Sequence, residues 1–240
     1  LVTLGPSSLS KNIVQSCEKE GANLFRINLS HTKLELVEPI IKTIQEWTDV
    51  PICLDSEGAQ IRNEMVSGDR VFFSEGSIVK IHNNEILGDE NNISFTPRNI
   101  AHQFVVGDSI RIDFDSVQFK VIEQADDYCS AIVETGGYIG SNKAVDLNRK
   151  IDLEPVTQKD KSAIVIGRQM GITNYALSFT QCSEDIDIMR SLIGYESNLI
   201  CKIESRSGVL NLDEILNNAD QILIDRGDLS RQIPLYKIPF

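Results

Sequence analysis

Acidic and basic side chains follow two apolar segments in the C-terminal third of the sequence. Lys202 and Glu204 are two positions apart after the apolar residues 199–201, and Asp228 follows a second apolar run at 222–224. Residues i and i+2 of a strand lie on the same side of a sheet, so Lys202 and Glu204 should project together. Carboxylates suit Mg²⁺ or Mn²⁺, and a lysine beside such an ion can stabilise a phosphoryl group. The spacing therefore predicts a divalent-metal site equipped for phosphoryl transfer.

Two further apolar segments end in polar side chains. Arg26, Asn28 and Ser30 share one face of a predicted strand, and Asp55 and Ser56 close the next apolar run. A guanidinium can bind phosphate through paired hydrogen bonds, and amide, hydroxyl and carboxylate oxygens can ligate a hard cation. One such strand end is more often a cap or a turn than a site, but four in one chain favour a shared function.

Alternating strands and helices must position these side chains. Helical periodicity follows most of the predicted strands. It predicts helices at 158–170, where Thr157 is a candidate N-cap, and at 208–216. The strands are predicted at 1–4, 23–29, 51–56, 174–179, 198–204 and 221–227. Repeated βα units indicate a parallel sheet, and polar residues at the carboxyl ends of its strands are typical of a TIM-type (β/α) barrel. A closed barrel of this type has eight strands, and six are predicted here. We therefore expect an α/β fold whose barrel is incomplete in this chain, because the last two βα units are not part of the chain. The alternative is that a second chain completes the barrel.

The middle of the sequence has a different pattern. Apolar and polar residues alternate at 109–114 and 117–121, and glycines punctuate the region. This pattern predicts an inserted small antiparallel β-barrel domain at 63–146, between the two parts of the (β/α) barrel domain at 1–62 and 147–240. Such a module could close over the site and exclude water.

Seven motifs together resemble those of the pyruvate kinase family, in the same order and at the same spacing. They lie at 3–8, 25–31, 54–62, 136–147, 176–179, 201–204 and 225–229, so the likeness covers nearly the whole chain. The resemblance implies transfer of a phosphoryl group from phosphoenolpyruvate to ADP, giving pyruvate and ATP in glycolysis. It also implies Mg²⁺ (or Mn²⁺) and K⁺ as cofactors.

The resemblance assigns roles residue by residue. The catalytic residues it implies are Lys202, Arg26 and Arg62. The metal ligands it implies are Glu204 and Asp228 for Mg²⁺, and Asn28, Ser30, Asp55 and Ser56 for K⁺. Pro6, His31 and Lys143 are expected on the nucleotide, and Gly227 and Ser178 on the substrate, although barrel packing is the simpler interpretation of Ser178.

Several residues depart from the family pattern near this site. Glu57 replaces a lysine, Gln60 a glutamate, Gln181 an arginine and Gln232 an acidic residue. Asp225 replaces a small residue, and we interpret it as a capping or surface carboxylate, with a third metal ligand as the alternative. These changes leave two other functions open. One is a catalytically weak or silent relative that binds phosphorylated ligands; the other is a metal-dependent pyruvate-enolate lyase or aldolase.

Composition restricts the class of protein further. The 240 residues are 41% hydrophobic and 24% charged, which is ordinary for a globular protein. The net charge of −12 disfavours non-specific nucleic-acid binding, and no apolar run is long enough to span a membrane. Five cysteines without a paired motif indicate free thiols, buried at Cys53 and Cys201, and a cytoplasmic setting. A homo-oligomer is compatible with this interpretation.

Overall fold

The computed structural model describes residues 1–233 and 235–237. The strands are β1 (Val2–Leu4), β2 (Phe25–Asn28), β3 (Ile52–Asp55), β4 (Ile61–Asn63), β5 (Arg70–Phe73), β6 (Ile78–His82), β7 (Asn92–Thr96), β8 (Ser109–Ile112), β9 (Val117–Gln124), β10 (Tyr128–Thr135), β11 (Gly137–Gly140), β12 (Ala144–Leu147), β13 (Asn174–Leu177), β14 (Asn198–Ile203) and β15 (Gln221–Ile224). The α-helices are α1 (Lys11–Lys19), α2 (Leu34–Gln45), α3 (Gln158–Gln169), α4 (Ser183–Ile193), α5 (Arg206–Leu210), α6 (Leu212–Asn218) and α7 (Arg226–Leu229). Short 3₁₀ helices span Leu29–His31, Ile100–Gln103 and Leu235–Lys237.

Six strands form the parallel sheet that the βα pattern predicts. Their order across the sheet is β1-β2-β3-β13-β14-β15, which is also their order along the chain. Every pairing between neighbouring strands is parallel. Helices α2 and α3 contribute buried apolar residues such as Val37, Ile41 and Ala163 to the core beside the sheet. The result is part of a TIM-type (β/α) barrel, as expected from the sequence.

The middle of the chain forms a closed β-barrel of seven strands. Around the barrel the order is β10-β6-β7-β4-β12-β8-β9, and β11 pairs with β5 in a separate two-stranded sheet. Alternating residues such as Ile110, Phe119 and Val133 fill its interior. We expected an antiparallel barrel; β6 and β7 instead pair in parallel, because residues 83–91 carry the chain back before β7 begins. The barrel is therefore mixed.

Several predicted element boundaries differ from the structure by one or more residues, and three of the differences coincide with a local feature of the chain. The strand expected at 221–227 ends at Ile224, because the Asp225 carboxylate caps α7 by accepting the Gly227 N–H. The strand expected at 174–179 ends at Leu177, two residues before Phe179 takes a left-handed φ of 54°. The helix expected at 208–216 is two helices, α5 and α6, which meet at Asn211.

The chain divides into two compact units. One comprises Leu1–Ala59 together with the described residues from Glu154 onward, and contains the parallel sheet. The other is Gln60–Leu153 and contains the β-barrel. Each has its own apolar core. Among the described residues, no helix is long and apolar enough to span a membrane.

Candidate active site

The Lys202 ammonium lies at the centre of a buried polar cluster at the carboxyl end of the parallel sheet. Its Nζ is 2.9 Å from Glu204 Oε1, 3.3 Å from Asp55 Oδ2 and 3.0 Å from Ser178 Oγ. The Glu204 and Asp55 side chains are 1% and 0% exposed. Strands β14, β3 and β13 are neighbours in the sheet, which is why residues far apart in sequence meet here.

Arg26 approaches the same cluster from β2. Its Nε donates to Asp55 Oδ2 at 2.6 Å, and its Nη2 forms an ion pair with the same oxygen. Its Nη1 donates to Thr3 Oγ1 at 3.0 Å. The other Asp55 oxygen accepts from the Ser178 hydroxyl at 3.1 Å. Ser178, for which packing was the simpler interpretation, therefore also bridges Asp55 and Lys202.

Burial and charge shift the ionisation of this cluster. Burial raises the pKa of Glu204 to about 7, although Lys202 and a 2.7 Å hydrogen bond from the Phe179 N–H favour the carboxylate. Burial alone would lower the pKa of Lys202, but attraction to Asp55 and Glu204 outweighs it, so the pKa of Lys202 is raised. Lys202 therefore remains an ammonium ion at neutral pH.

A carboxylate cluster adjoins Lys202. One carboxylate oxygen from each of Glu204, Asp225 and Asp228 lies within 4.8 Å of the others. Oxygen donors of this kind suit a hard divalent cation, so the residues present fit Mg²⁺ or Mn²⁺. Asp228 also accepts a 2.9 Å hydrogen bond from Arg231 Nη1. The capping interpretation of Asp225 is confirmed, and the carboxylate reaches this cluster as well.

The four residues assigned to a monovalent cation lie at the ends of β2 and β3. Asn28 pairs with Asp55 in the parallel register, which places both at the same level of the sheet. The Asn28 side chain accepts from the Ser30 N–H at 2.9 Å, and Ser56 Oγ accepts from the Ser178 N–H at 3.0 Å. The sheet therefore gathers these residues at one edge.

A glycine permits the close approach of the loop after β3 to Ser178. Gly58 has a φ of +72°, and a Cβ added there would lie 2.4 Å from the Ser178 carbonyl oxygen. Asp160, buried in the capping box of α3, accepts from the Glu57 and Gly58 N–H groups at 2.8 and 3.3 Å. Backbone geometry and the start of α3 thus hold this loop against the cluster.

Glu57, which replaces the family's lysine, has a partner that the sequence did not reveal. Lys159 Nζ is 2.7 Å from Glu57 Oε1 and donates to the Leu29 carbonyl at 2.6 Å. The Thr157 hydroxyl donates to Glu57 Oε2 at 3.3 Å. Because these residues are about one hundred positions apart, no local pattern could have indicated the pair.

Two predicted cationic residues belong to the β-barrel unit. Arg62 lies on β4, where its Nε donates to Gln60 Oε1 and its Nη1 to the Asn142 carbonyl, both at 2.9 Å. Lys143 precedes β12, and its Nζ is 3.4 Å from Asp113 Oδ2. Strands β4 and β12 are paired, so Arg62 and Lys143 are close within that unit.

The remaining predicted residues lie in turns of the sheet unit. Pro6 is exposed in the turn after β1, and His31 is exposed at the end of the 3₁₀ helix after β2. Gly227 is in α7, where its N–H bonds Asp225. One departure from the family pattern has a structural role, because the Gln232 side chain accepts from the Arg206 N–H. At Gln181 only the backbone carbonyl accepts from Asn211, and that contact does not depend on the side chain.

The fold and this cluster define a (β/α)-barrel protein with an inserted β-barrel and a buried lysine–carboxylate centre. The family model for the pyruvate kinase barrel domain matches residues 1–240. The chain belongs to the pyruvate kinase family.

Three curated relatives show how far the likeness extends. Pyruvate kinase from Clostridium perfringens is 33% identical over 100% of this chain and 53% of its own length. The Eimeria tenella pyruvate kinase is 32% identical, with 98% and 47% covered, and that of Thermococcus litoralis is 30% identical, with 100% and 52% covered. The chain therefore spans about half the length of these relatives.

Proposed function

We propose that this chain carries the site at which a phosphoryl group passes from phosphoenolpyruvate to ADP, yielding pyruvate and ATP. The observation that carries the proposal is the Lys202 ammonium, which is buried at the end of β14. It lies beside Asp55, the carboxylate that pairs with Arg26, and beside the Glu204–Asp225–Asp228 cluster. Phosphoryl transfer needs positioned positive charge more than covalent help from the protein, and this cluster supplies such charge.

Each residue of the cluster has a proposed part. Lys202 and Arg26 neutralise negative charge on the transferred group, and Glu204 and Asp228 hold Mg²⁺ or Mn²⁺. When bound, the divalent ion neutralises charge on the phosphate and enolpyruvate oxygens. Ser178 and Gly227 are proposed on the substrate side of the same cluster.

The Lys202 contacts indicate how this residue meets its substrate. An ammonium has three donors, and here its three closest polar partners are Ser178, Glu204 and Asp55. A phosphate oxygen can therefore bind Lys202 only by replacing or sharing one of these partners. A cation that binds Glu204 would weaken the hold of that carboxylate on Lys202. Metal loading and exposure of the ammonium are thus coupled through Glu204.

The other assigned residues complete the proposal. We place K⁺ at Asn28, Ser30, Asp55 and Ser56, supported by the shared register of Asn28 and Asp55. Arg62 is proposed as a second phosphate-binding arginine. Pro6, His31 and Lys143 are proposed for the nucleotide. The setting is glycolysis in a reducing cytoplasm, in line with five free cysteines.

The test is pyruvate formation from phosphoenolpyruvate and ADP by the full-length protein with Mg²⁺, with and without K⁺. Turnover supports the kinase, and stimulation by K⁺ supports the monovalent site. Turnover that does not change with K⁺ keeps the kinase and removes that site. No turnover by folded protein, with phosphoenolpyruvate binding seen by calorimetry, would replace the kinase by a silent relative. Exchange of pyruvate protons without nucleotide, and without phosphoryl transfer, would support an enolate-forming lyase or aldolase instead.

A further inference from the structure

Asp225 links the cap of α7 to the buried charged centre. Its Oδ1 accepts the Gly227 N–H at 3.2 Å, which is an ordinary capping contact. Its Oδ2 lies 3.7 Å from Lys202 Nζ, and the side chain is 31% exposed. The capping bond uses one oxygen only. The carboxylate is therefore oriented toward the site by its own backbone contact and still has acceptor capacity there.

The carboxylate oxygens lie close to the spacing that one shared cation requires. Oxygens from Glu204, Asp225 and Asp228 all lie within 4.8 Å of one another. Mg²⁺ binds oxygen at about 2.0–2.1 Å, so two of its ligand oxygens are separated by at most about 4.2 Å. Side-chain movements of less than about 1 Å would therefore bring all three carboxylates onto one ion.

The balance of charge around Lys202 also favours a bound cation. Four carboxylates and three cationic side chains are joined by ion pairs or by the oxygen cluster: Asp55, Glu204, Asp225 and Asp228, with Arg26, Lys202 and Arg231. When Glu204 is ionised, four negative and three positive groups leave one excess negative charge among these residues. Glu204 and Asp55 are buried, where uncompensated charge is most unfavourable.

We propose that Asp225 is a third carboxylate ligand of the divalent cation that Glu204 and Asp228 hold, and that it tightens binding of that cation. The inference rests on the proposed metal site. It adds a ligand at a position where the resemblance leads one to expect a small, non-ligating residue. Affinity of oxygen-donor sites rises with the number of charged ligands, so this chain binds its ion more tightly than a two-carboxylate arrangement would.

The experiment is a titration of the full-length protein with Mn²⁺, in which free Mn²⁺ is followed by electron paramagnetic resonance. Asp225→Asn removes the charge but keeps an acceptor for the Gly227 N–H, and Asp225→Ser can cap through its hydroxyl. Asp213→Asn is the matched control, because Asp213 is exposed in the first turn of α6. Melting temperatures in EDTA identify any variant that fails to fold.

We expect the Mn²⁺ dissociation constant to rise at least about tenfold in Asp225→Asn and Asp225→Ser, and by less than about twofold in Asp213→Asn. Unchanged affinity in a folded Asp225 variant would overturn the inference, and turnover by the wild type would then leave the proposed function standing. Failure of the wild type to bind Mn²⁺ at all would overturn the metal site for every ligand, Asp225 included.

Discussion

Replacing Lys202 by methionine should destabilise the protein through the carboxylates that lose their partner. Lys202 Nζ lies 2.9 Å from Glu204 Oε1 and 3.3 Å from Asp55 Oδ2. With an effective dielectric constant near 20, each pair attracts by about 5 kcal/mol before the cost of burying the ammonium is subtracted. Breaking a buried pair by removing one partner costs about 3–5 kcal/mol net, and we expect a loss of free energy of unfolding in that range for Lys202→Met.

Glu204 should carry most of this loss, because Asp55 keeps its contacts with Arg26 and Ser178. The penalty should therefore be larger at pH 8 than at pH 6, where Glu204 can be protonated. It should also shrink by at least about 1 kcal/mol when Lys202→Met is made in a Glu204→Gln background, because neighbouring charges couple.

The assay is urea denaturation in EDTA, followed by far-ultraviolet circular dichroism. Lys161→Met is the matched control, because Lys161 pairs with the exposed Glu154 at the surface, and we expect it to cost less than about 1 kcal/mol. A loss for Lys202→Met at pH 8 no larger than that of Lys161→Met would refute the argument that Lys202 balances buried carboxylates.

Three other perturbations test different parts of the site. Burial raises the pKa of Glu204 from 4.5 to about 7, so this carboxyl group loses its proton at lower pH in the unfolded state than in the folded state. The free energy of unfolding of metal-free protein should therefore fall by on the order of 3 kcal/mol as the pH rises from 4.5 to 7. Glu204→Gln should abolish this pH-dependent contribution. Gly58→Ala should lower the melting temperature and turnover together, since its Cβ would meet a backbone carbonyl at 2.4 Å. Glu57→Lys would face Lys159 at the site of a 2.7 Å ion pair, and should lower stability by about 1 kcal/mol in urea denaturation.

Each of these has its own control and contrary result. Gly68 has a similar positive φ of 65°, but a Cβ added there would meet nothing within 4 Å, so Gly68→Ala introduces backbone strain alone. An equal loss of melting temperature in both glycine variants would remove the role of close packing at Gly58. A pH profile of stability that Glu204→Gln leaves unaltered would assign the titration elsewhere. For the Glu57–Lys159 pair, the exchanged double variant Glu57→Lys with Lys159→Glu should recover part of the lost stability, and no recovery would contradict direct pairing.

The elements of the fold that have strong local patterns could be predicted from the sequence. The apolar runs of β14 and β15, the helical periodicity of α1 and α4, and the Thr157 cap of α3 all depend on neighbours along the chain. The end of β15 could not be predicted from the sequence. Asp225 stops this strand by capping the helical turn of α7, and the residues of that turn continue the alternation of apolar and polar residues. The parallel pairing of β6 with β7 likewise depends on the path of a loop, which alternation does not encode.

The centre of the site was predicted because Lys202, Glu204 and Asp55 follow apolar strands, and the carboxyl ends of parallel strands converge. The contacts that the prediction missed come from outside those strand ends. Lys159 reaches Glu57 from the start of α3, and Asp160 reaches the same loop from the capping box. Such contacts depend on where a helix is placed against the sheet, and the residues themselves are ordinary helix-start residues in sequence.

The most direct test of the central proposal compares pyruvate formation from phosphoenolpyruvate and ADP by full-length wild-type protein and by Lys202→Met, at saturating Mg²⁺. The proposal predicts turnover by the wild type and a rate lower by at least about a hundredfold in the variant, because one buried electrostatic group of this kind contributes that much to the transition state. Folding of the variant is checked by circular dichroism. A folded Lys202→Met variant that makes pyruvate at the wild-type rate would contradict the account.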